Sequence, residues 1–283
     1  MLVRKLSFDK TDRVFFVGDV HGRYSLLMEQ LDKAMFSPEN GDTLISVGDL
    51  IDSGSECDLA LGLLDKPWFK MVMGNHEWLM NQATKDITQK DFDRVSSFLI
   101  DRNGLQKLYD LRDGIALDDV AQEIDDALTR EELNWTANGG AWFYDVFEVK
   151  GFAFRKAQAV ALDKANLPLA IEVDHPMGLV GVVHAGIKSN NWGLVGAVAR
   201  FRPQQLMWMR DHINGFESGD KTAYEAGFVK GVDALVVGHS VSRRRLPLII
   251  ANTMYIDVNA KGGFAPFVIE IIELINATSK NIK

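Results

Sequence analysis

The sequence predicts an α/β fold built on a parallel β-α-β-α-β core. Three near-continuous apolar segments, at residues 13–19, 43–49 and 69–75, are typical of strands buried on both faces of a sheet. Apolar residues recur at helical spacing between them, and the connections should be right-handed. Each strand ends in a polar motif (GDVHG, GDLIDSG or GNHE), at the edge where such sheets bind ligands.

The helices of this core follow from the spacing of its apolar residues. In the first connection these residues are Tyr24, Leu27, Met28, Leu31, Ala34 and Met35. A shorter helix is predicted in the second connection from Leu59, Leu61, Leu63 and Leu64. A third helix should continue from Glu77 through WLMNQA.

Residues from about 84 to 134 form a polar, acidic block, which we interpret as a mostly helical surface insert in a single domain spanning residues 1–283. Between residues 110 and 132 there are nine acidic and two basic side chains. An amphipathic helix packed on the body is predicted from Leu117, Val120, Ile124, Ala127 and Leu128. Thr129 and Glu132 have the spacing of a capping box for the turn that follows.

The second half of the chain returns to strands. Apolar runs predict them at residues 178–186, 234–240, 254–260 and 264–274, with a helix near residues 203–212. We expect the last residues, 277–283, to be frayed.

Composition limits the class of protein. The chain has 283 residues, of which 47% are hydrophobic and 25% charged, as in globular enzymes. Its net charge of −8 argues against nucleic acid as the main partner. No segment approaches the ~18 apolar residues of a membrane span, and the first residues lack an apolar signal core, so we expect no membrane partner and no secretion. The single cysteine, Cys57, suits a reducing cytoplasm.

The motifs at the strand ends supply candidate metal ligands. These are Asp19, His21, Asp49, Asn75, His184 and His239. A lone aspartate after a strand is usually a turn former and a lone histidine a satisfied polar residue, but five such segments in register predict a metal site. Asp49 has two carboxylate oxygens and can bridge two cations. This mixed set of carboxylate, amide and imidazole ligands suits Mn²⁺, our first choice, or Fe or Zn²⁺. It suits them better than Mg²⁺ or Ca²⁺, which prefer oxygen ligands alone.

These segments resemble the phosphoprotein phosphatase group of calcineurin-like metallophosphoesterases, and most closely its bacterial and bacteriophage lambda-like serine/threonine phosphatases. NGGAWF (residues 138–143), LPLAIEV (167–173), MWMR (207–210) and ANTMYID (251–257) also look like that branch. The resemblance implies an αββα sandwich in a bacterial or phage-infected host cytoplasm. It implies two metals, and its ligand sets are Asp19, His21 and Asp49 for one and Asp49, Asn75, His184 and His239 for the other.

The resemblance also implies a mechanism. Two cations hold a bridging hydroxide that attacks phosphorus, and His76 protonates the leaving group as general acid. Asp52 would orient His76, the alternative being that Asp52 only caps the next helix. Arg210, Asn75 and Arg23 are the candidate phosphate-binding residues.

Two family arginines are missing from this sequence. Ser53 and Met73 stand where the family has phosphate-binding arginines. Replacements for them are sought in Arg23, in Lys188 or in the run at residues 243–245, for which a solvated surface is the alternative. Their loss should shift preference toward diesters, nucleotides or a substrate that brings its own contacts, because a monoester dianion gains more from extra arginines than a monoanionic diester does.

Three functions remain open from the sequence. The first is a phosphatase acting on phosphoserine or phosphothreonine in proteins. The second is hydrolysis of dinucleoside polyphosphates, as suggested by HAGI followed by Trp192, or of phosphodiesters. The third is a metal-binding protein with weakened or lost catalysis. The partner is therefore a phosphorylated protein or a small phosphoester.

Overall fold

The computed structural model describes residues 2–101, 103–114, 118–220 and 222–281. The strands in these ranges are β1 (Val3–Ser7), β2 (Val14–Val17), β3 (Thr43–Ser46), β4 (Phe69–Met71), β5 (Ala170–His175), β6 (Gly178–Val183), β7 (Ala234–Val237), β8 (Leu248–Ile250), β9 (Thr253–Tyr255) and β10 (Val268–Glu270). The helices in the first half are α1 (Tyr24–Lys33), α2 (Cys57–Leu61), α3 (Asn75–Thr84), α4 (Gln89–Asp101), α5 (Gly104–Arg112), α6 (Asp118–Ala127) and α7 (Arg130–Ala137). Those in the second half are α8 (Phe152–Ala165), α9 (Val195–Phe201), α10 (Pro203–Trp208), α11 (Asp211–Glu217), α12 (Thr222–Ala226) and α13 (Ile271–Asn281).

The strands form two sheets packed face to face. In the smaller sheet, of order β10-β2-β3-β4, the three strands predicted for the core are parallel and β10 runs antiparallel to β2. The larger sheet has the order β1-β5-β6-β7-β9-β8. A buried apolar cluster lies between them and includes Phe16 and Ile45 from one sheet and Val182 and Val236 from the other.

Helices cover both outer faces. Alternate residues of the same strands point away from the sheet interface, so that Phe15 packs with Leu27 of α1 and Leu235 packs with Leu206 of α10. The layers are therefore α, β, β and α. The predicted β-α-β-α-β core and the sandwich implied by the family resemblance are both confirmed.

The acidic block contains helices α4 to α7, of which α7 packs on α3, and Phe92 of α4 contacts Phe152 of α8. Ile124, Ala127 and Leu128 of the predicted apolar stripe are buried, whereas Leu117 lies outside the described residues. The predicted capping box is confirmed, because Thr129 Oγ1 accepts the Glu132 N–H at 3.3 Å and Glu132 Oε2 accepts the Thr129 N–H at 2.8 Å. It begins α7.

The prediction for the C-terminus was wrong. Only Val268–Glu270 of residues 264–274 is a strand, and α13 follows at once. Ile271, Leu274 and Ile275 are buried at helical spacing, and a short apolar run does not distinguish the two structures. The helix is ordered through Asn281, whose Nδ2 donates to Ile249 O and Ala251 O, so residues 277–281 are not frayed. Among the described residues, each helix is too short or too polar to cross a bilayer.

Candidate metal centre

The loops that follow strands of both sheets meet at one cleft of about 270 Å³. The predicted site residues that line it are Asp19, His21, Asp49, Asn75, His76, Arg210 and His239. His184 lies fully buried at the end of β6, in contact with Asp49 and Asn75. The carboxyl ends of β2 and β3 thus face those of β6 and β7, which explains why ligands so distant in sequence are brought together.

Asp49 stands at the centre of this cluster. Its Oδ2 lies 3.3 Å from His184 Nε2, 3.8 Å from His21 Nε2 and 3.9 Å from His76 Nε2. Its Oδ1 accepts the backbone N–H of His76 at 3.0 Å. One carboxylate oxygen therefore lies within 4 Å of three imidazole nitrogens, so Asp49 is placed to be shared between ligands on more than one loop.

Two groups of potential ligands share Asp49. One is Asp49 with His21 and His76, the other Asp49 with His184 and His239, and within each group the ligand atoms lie within 4.8 Å of one another. Asp19 adjoins the first group, since its Oδ2 is 3.8 Å from His21 Nε2. Asn75 adjoins the second group through its Oδ1, 2.9 Å from His184 Nε2.

Hydrogen bonds from Nδ1 to backbone carbonyls orient two of the histidine rings. His21 Nδ1 donates to Ile51 O at 3.0 Å and His184 Nδ1 donates to Val47 O at 2.8 Å, because a carbonyl oxygen can only accept. Each ring therefore presents Nε2 to the cluster, as metal-binding histidines commonly do. His239 Nε2 is buried, and no other described group gives it a hydrogen bond. An imidazole nitrogen so placed lacks a partner that a cation would provide.

The protonation states also fit cations. Burial lowers the pKa of His21 to about 3 and that of His239 to about 2, so both rings are neutral near pH 7 and keep a lone pair for a metal. Burial, with the nearby Asp257 and Asp49 carboxyls, raises the pKa of Asp19. Crowded buried carboxyls are stabilised by positive charge. The donor set and its charge therefore fit a pair of divalent cations.

His76 and Asp52 form a buried pair beside the cluster. His76 Nδ1 lies 2.6 Å from Asp52 Oδ2, and Nε2 points to the cleft. Burial opposes protonation of His76, but the Asp49 charge and the hydrogen bond to Asp52 outweigh it and raise its pKa. Helix α2 begins only at Cys57 and its N-cap is Glu56, so Asp52 does not cap that helix.

Several non-glycine residues of the site have left-handed backbones, among them His21, Asp49, Asp52 and His239, with φ of 46°, 54°, 75° and 61°. Such conformations are strained for histidine, and they cluster here as they do at functional sites.

Glu77 is a site residue to which sequence reasoning gave no role. Its carboxylate is fully buried and accepts three backbone N–H groups, from Asp49 at 2.9 Å, Leu50 at 2.8 Å and Gly74 at 3.1 Å. It thereby fixes the left-handed turn at Asp49. Its place as the last residue of GNHE was the available signal.

We expect Glu77→Gln to destabilise the protein by about 1–3 kcal/mol, because an amide cannot accept all three N–H groups and leaves a buried donor unpaired. Thermal unfolding and Mn²⁺ titration measure this, and metal affinity should fall with stability. Glu131→Gln, on the exposed face of α7, is the control and should change neither. Equal stability of the two variants would contradict this role of Glu77.

Two cationic side chains line the cleft, Arg210 at the start of α11 and Lys261. Lys261 Nζ donates to Asn138 O at 3.3 Å, and sequence reasoning missed this residue because nothing in NAKGG marks it. Arg23 is not among the lining residues; its Nε donates to Ala260 O at 3.4 Å beside the cleft.

The other proposed replacements for the missing arginines point elsewhere. Lys188 pairs with Asp211 at 3.5 Å, outside the lining of the cleft. Arg243 pairs with Glu217 at 3.6 Å, and Arg245 lies over the Phe264 ring. None of these three side chains lines the cleft, and for Arg243 and Arg245 the solvated alternative holds.

Comparison with known proteins places the chain among phosphoesterases. The calcineurin-like phosphoesterase family matches residues 12–243. Serine/threonine-protein phosphatase 2 of Salmonella typhimurium (strain LT2) is 27% identical over 255 residues, 90% of this chain and 91% of that protein. The protein of the same name in Escherichia coli (strain K12) is 26% identical over 257 residues, 91% and 92% of the two chains. A cold-active protein-tyrosine phosphatase of a Shewanella species aligns over 94% of this chain and 77% of that chain, with 15% identity and a TM-score of 0.46, which supports no functional conclusion.

Proposed function

Because this chain belongs to the calcineurin-like phosphoesterase family and is a metal-dependent phosphatase, we propose that it removes phosphate from phosphoserine and phosphothreonine in proteins. Two relatives that align over about nine-tenths of both chains are named for that activity. The observation that carries the proposal is the cleft itself, where Asp49 joins two ligand groups and His76 faces the same space.

The ligand sets proposed for the metals share Asp49. Asp19, His21 and Asp49 would hold one cation, and Asp49, Asn75, His184 and His239 the other. Mn²⁺ is the proposed ion, since the donors mix carboxylate, amide and imidazole. When bound, the two cations supply a water activated for attack on phosphorus and neutralise charge on the phosphate oxygens.

His76 is the proposed general acid. The alkoxide that leaves from a phosphoserine needs a proton, and His76 presents Nε2 to the cleft. Its Nδ1–H is held by Asp52, which fixes the tautomer and the ring plane. Although burial lowers it, the Asp49 charge and the hydrogen bond to Asp52 raise the pKa of His76, which favours the protonated ring that a general acid needs.

Arg210 and Lys261, with the amide of Asn75, are the proposed phosphate-binding groups. Both side chains come from the second half of the chain and line the cleft, whereas Ser53, where the family places an arginine, is not among the lining residues. Arg23 is left out of this set because its guanidinium binds the Ala260 carbonyl outside the cleft lining.

We expect Lys261→Met to lower kcat/KM for a phosphopeptide about tenfold, the effect of one lost charge-assisted contact. Steady-state kinetics at saturating Mn²⁺ measure it. Lys188→Met is the control, since Lys188 is also exposed but lies outside the cleft lining. Unchanged kcat/KM in Lys261→Met would remove Lys261 from the site.

The second candidate, dinucleoside polyphosphate hydrolysis, has lost one of its supports. The sequence suggested it through Trp192, which follows HAGI. Trp192 is buried, and its Nε1 donates to Glu172 at 2.6 Å, outside the lining of the cleft. It is therefore not placed to stack on a nucleotide bound there.

The two candidates are separated by assaying them side by side. A phosphothreonine peptide, diadenosine tetraphosphate and bis(p-nitrophenyl) phosphate are hydrolysed with Mn²⁺ under identical conditions. We expect the highest kcat/KM for the phosphopeptide. A higher value for the tetraphosphate or the diester would overturn the proposed substrate, with the diester result supporting the effect expected from Ser53 and Met73.

A further inference from the structure

Three N–H groups converge on the buried carboxylate of Asp52. His76 Nδ1 lies 2.6 Å and Trp135 Nε1 3.0 Å from Oδ2, and Trp142 Nε1 lies 2.7 Å from Oδ1. Asp52 and Trp135 are completely buried, and Trp142 nearly so. Both oxygens are therefore engaged, and the carboxylate cannot rotate without breaking a hydrogen bond.

The two indoles come from the segment that links the acidic block to the rest of the chain. Trp135 is in α7, and Trp142 is in a 3₁₀ turn at Gly140–Tyr144. The glycines of NGGAWF make this approach possible. A methyl group on Gly140 would overlap the Trp135 ring, and one on Gly139, where φ is 116°, would lie 2.8 Å from Ser53 Oγ. This explains a motif to which the catalytic assignment gave no role.

Each indole is itself held in place. Helix α7 is tied to α4, because Glu132 accepts Arg94 Nη2 at 2.8 and 3.0 Å. The Trp142 ring lies beneath the Arg155 guanidinium, whose carbon is 5.1 Å from the ring centre. Arg155 is buried and paired with Asp58 of α2 at 2.6 Å and with Asp145 at 3.1 Å.

We propose that Trp135 and Trp142 are positioning residues, which hold Asp52, and through it the His76 ring, in the orientation needed to protonate the leaving group. This inference rests on the proposed function of His76 as general acid. Aromatic packing alone would require two rings, but not two N–H groups directed at the two oxygens of one carboxylate.

A positioning role differs from a packing role in what it affects. Proton donation matters most when the leaving group is a poor one. Loss of an indole N–H should therefore lower kcat little for p-nitrophenyl phosphate, whose leaving group needs no proton, and strongly for an alkyl phosphate. A general loss of packing would lower stability and would affect both substrates alike.

The test uses Trp135→Phe and Trp142→Phe, which keep an aromatic ring and remove the N–H. Trp192→Phe is the matched control, because it also loses an indole–carboxylate hydrogen bond, away from the cleft. We expect kcat to fall about threefold for p-nitrophenyl phosphate and about thirtyfold for an alkyl phosphate in the first two variants, with KM and Mn²⁺ content unchanged. Trp192→Phe should affect both substrates equally.

A double-mutant cycle adds a second measurement. In an Asp52→Asn background, Trp142→Phe should lower kcat for the alkyl phosphate by a further factor of less than about two, because the interaction that it removes is already lost. Trp135 and Trp142 donate to different oxygens of Asp52, so if one of the two single variants unfolds, the other decides.

The outcomes separate this inference from the function on which it rests. If His76→Asn steepens the dependence on the leaving group but both tryptophan variants behave like Trp192→Phe, the positioning role is overturned and the proposed function stands. If His76→Asn shows no such dependence, His76 is not the general acid and both fall.

Discussion

Replacing Asp49 by asparagine should abolish metal-dependent hydrolysis, with kcat/KM for p-nitrophenyl phosphate falling about 10³-fold or more. Asp49 Oδ2 is the atom around which His21, His184 and His76 are arranged, and the carboxylate is the only group common to both ligand groups. Asparagine carries no negative charge, and an amide oxygen is a weaker donor than a carboxylate oxygen, so it should hold two cations far less tightly. Bound Mn²⁺ per chain should fall together with activity.

The control for this variant is Asp86→Asn. Asp86 has the same left-handed backbone, with φ of 59° against 54° at Asp49, but is exposed on the surface. Asparagine tolerates this conformation, so neither substitution strains the chain. The bridging assignment would be contradicted if Asp86→Asn kept full activity and Asp49→Asn kept more than about a tenth of the activity of the unsubstituted protein.

His76→Asn should lower kcat for a phosphopeptide, whose leaving group needs a proton, by about 10²–10⁴-fold. This is the usual contribution of a general acid, and both metals should stay bound. Its ring contacts Asp52 through Nδ1, and its Nε2 is 3.9 Å from Asp49 Oδ2, facing the cleft. Kinetics together with elemental analysis measure the two effects separately. His212→Asn in α11 is the control, as this histidine lies outside the cleft lining.

A loss of bound metal in His76→Asn would instead identify His76 as a metal ligand. The ligand group of His21, Asp49 and His76 leaves room for His76 to bind metal directly. In that case His76→Asn would lose one metal along with its activity. Loss of activity at unchanged metal content is therefore the result that distinguishes a proton donor from a ligand.

The first half of the site was predictable because the order of elements determines it. Parallel strands that alternate with helices bring their carboxyl ends to one edge, so Asp19, Asp49 and Asn75 had to be neighbours. His184 and His239 belong to the other sheet, and nothing local places them opposite. The motifs at the strand ends marked both histidines as candidate ligands, and the family resemblance divided the six residues into two ligand sets.

The remaining contacts depend on side chains that no pattern in one sequence connects. Glu77 was visible as a motif residue, but its three backbone partners depend on a turn whose shape the sequence does not give. Lys261, Trp135 and Trp142 reach the site through tertiary packing. Arg23 directly follows the first motif and was expected in the cleft, but its guanidinium donates a hydrogen bond to the Ala260 carbonyl instead.

Anomalous diffraction from crystals of the protein soaked in Mn²⁺ tests the dinuclear site most directly. We expect two peaks about 3.5–4 Å apart, one on either side of the Asp49 carboxylate, with His21 and Asp19 at one and His184, His239 and Asn75 at the other. A single peak, or none, at full Mn²⁺ loading would contradict it.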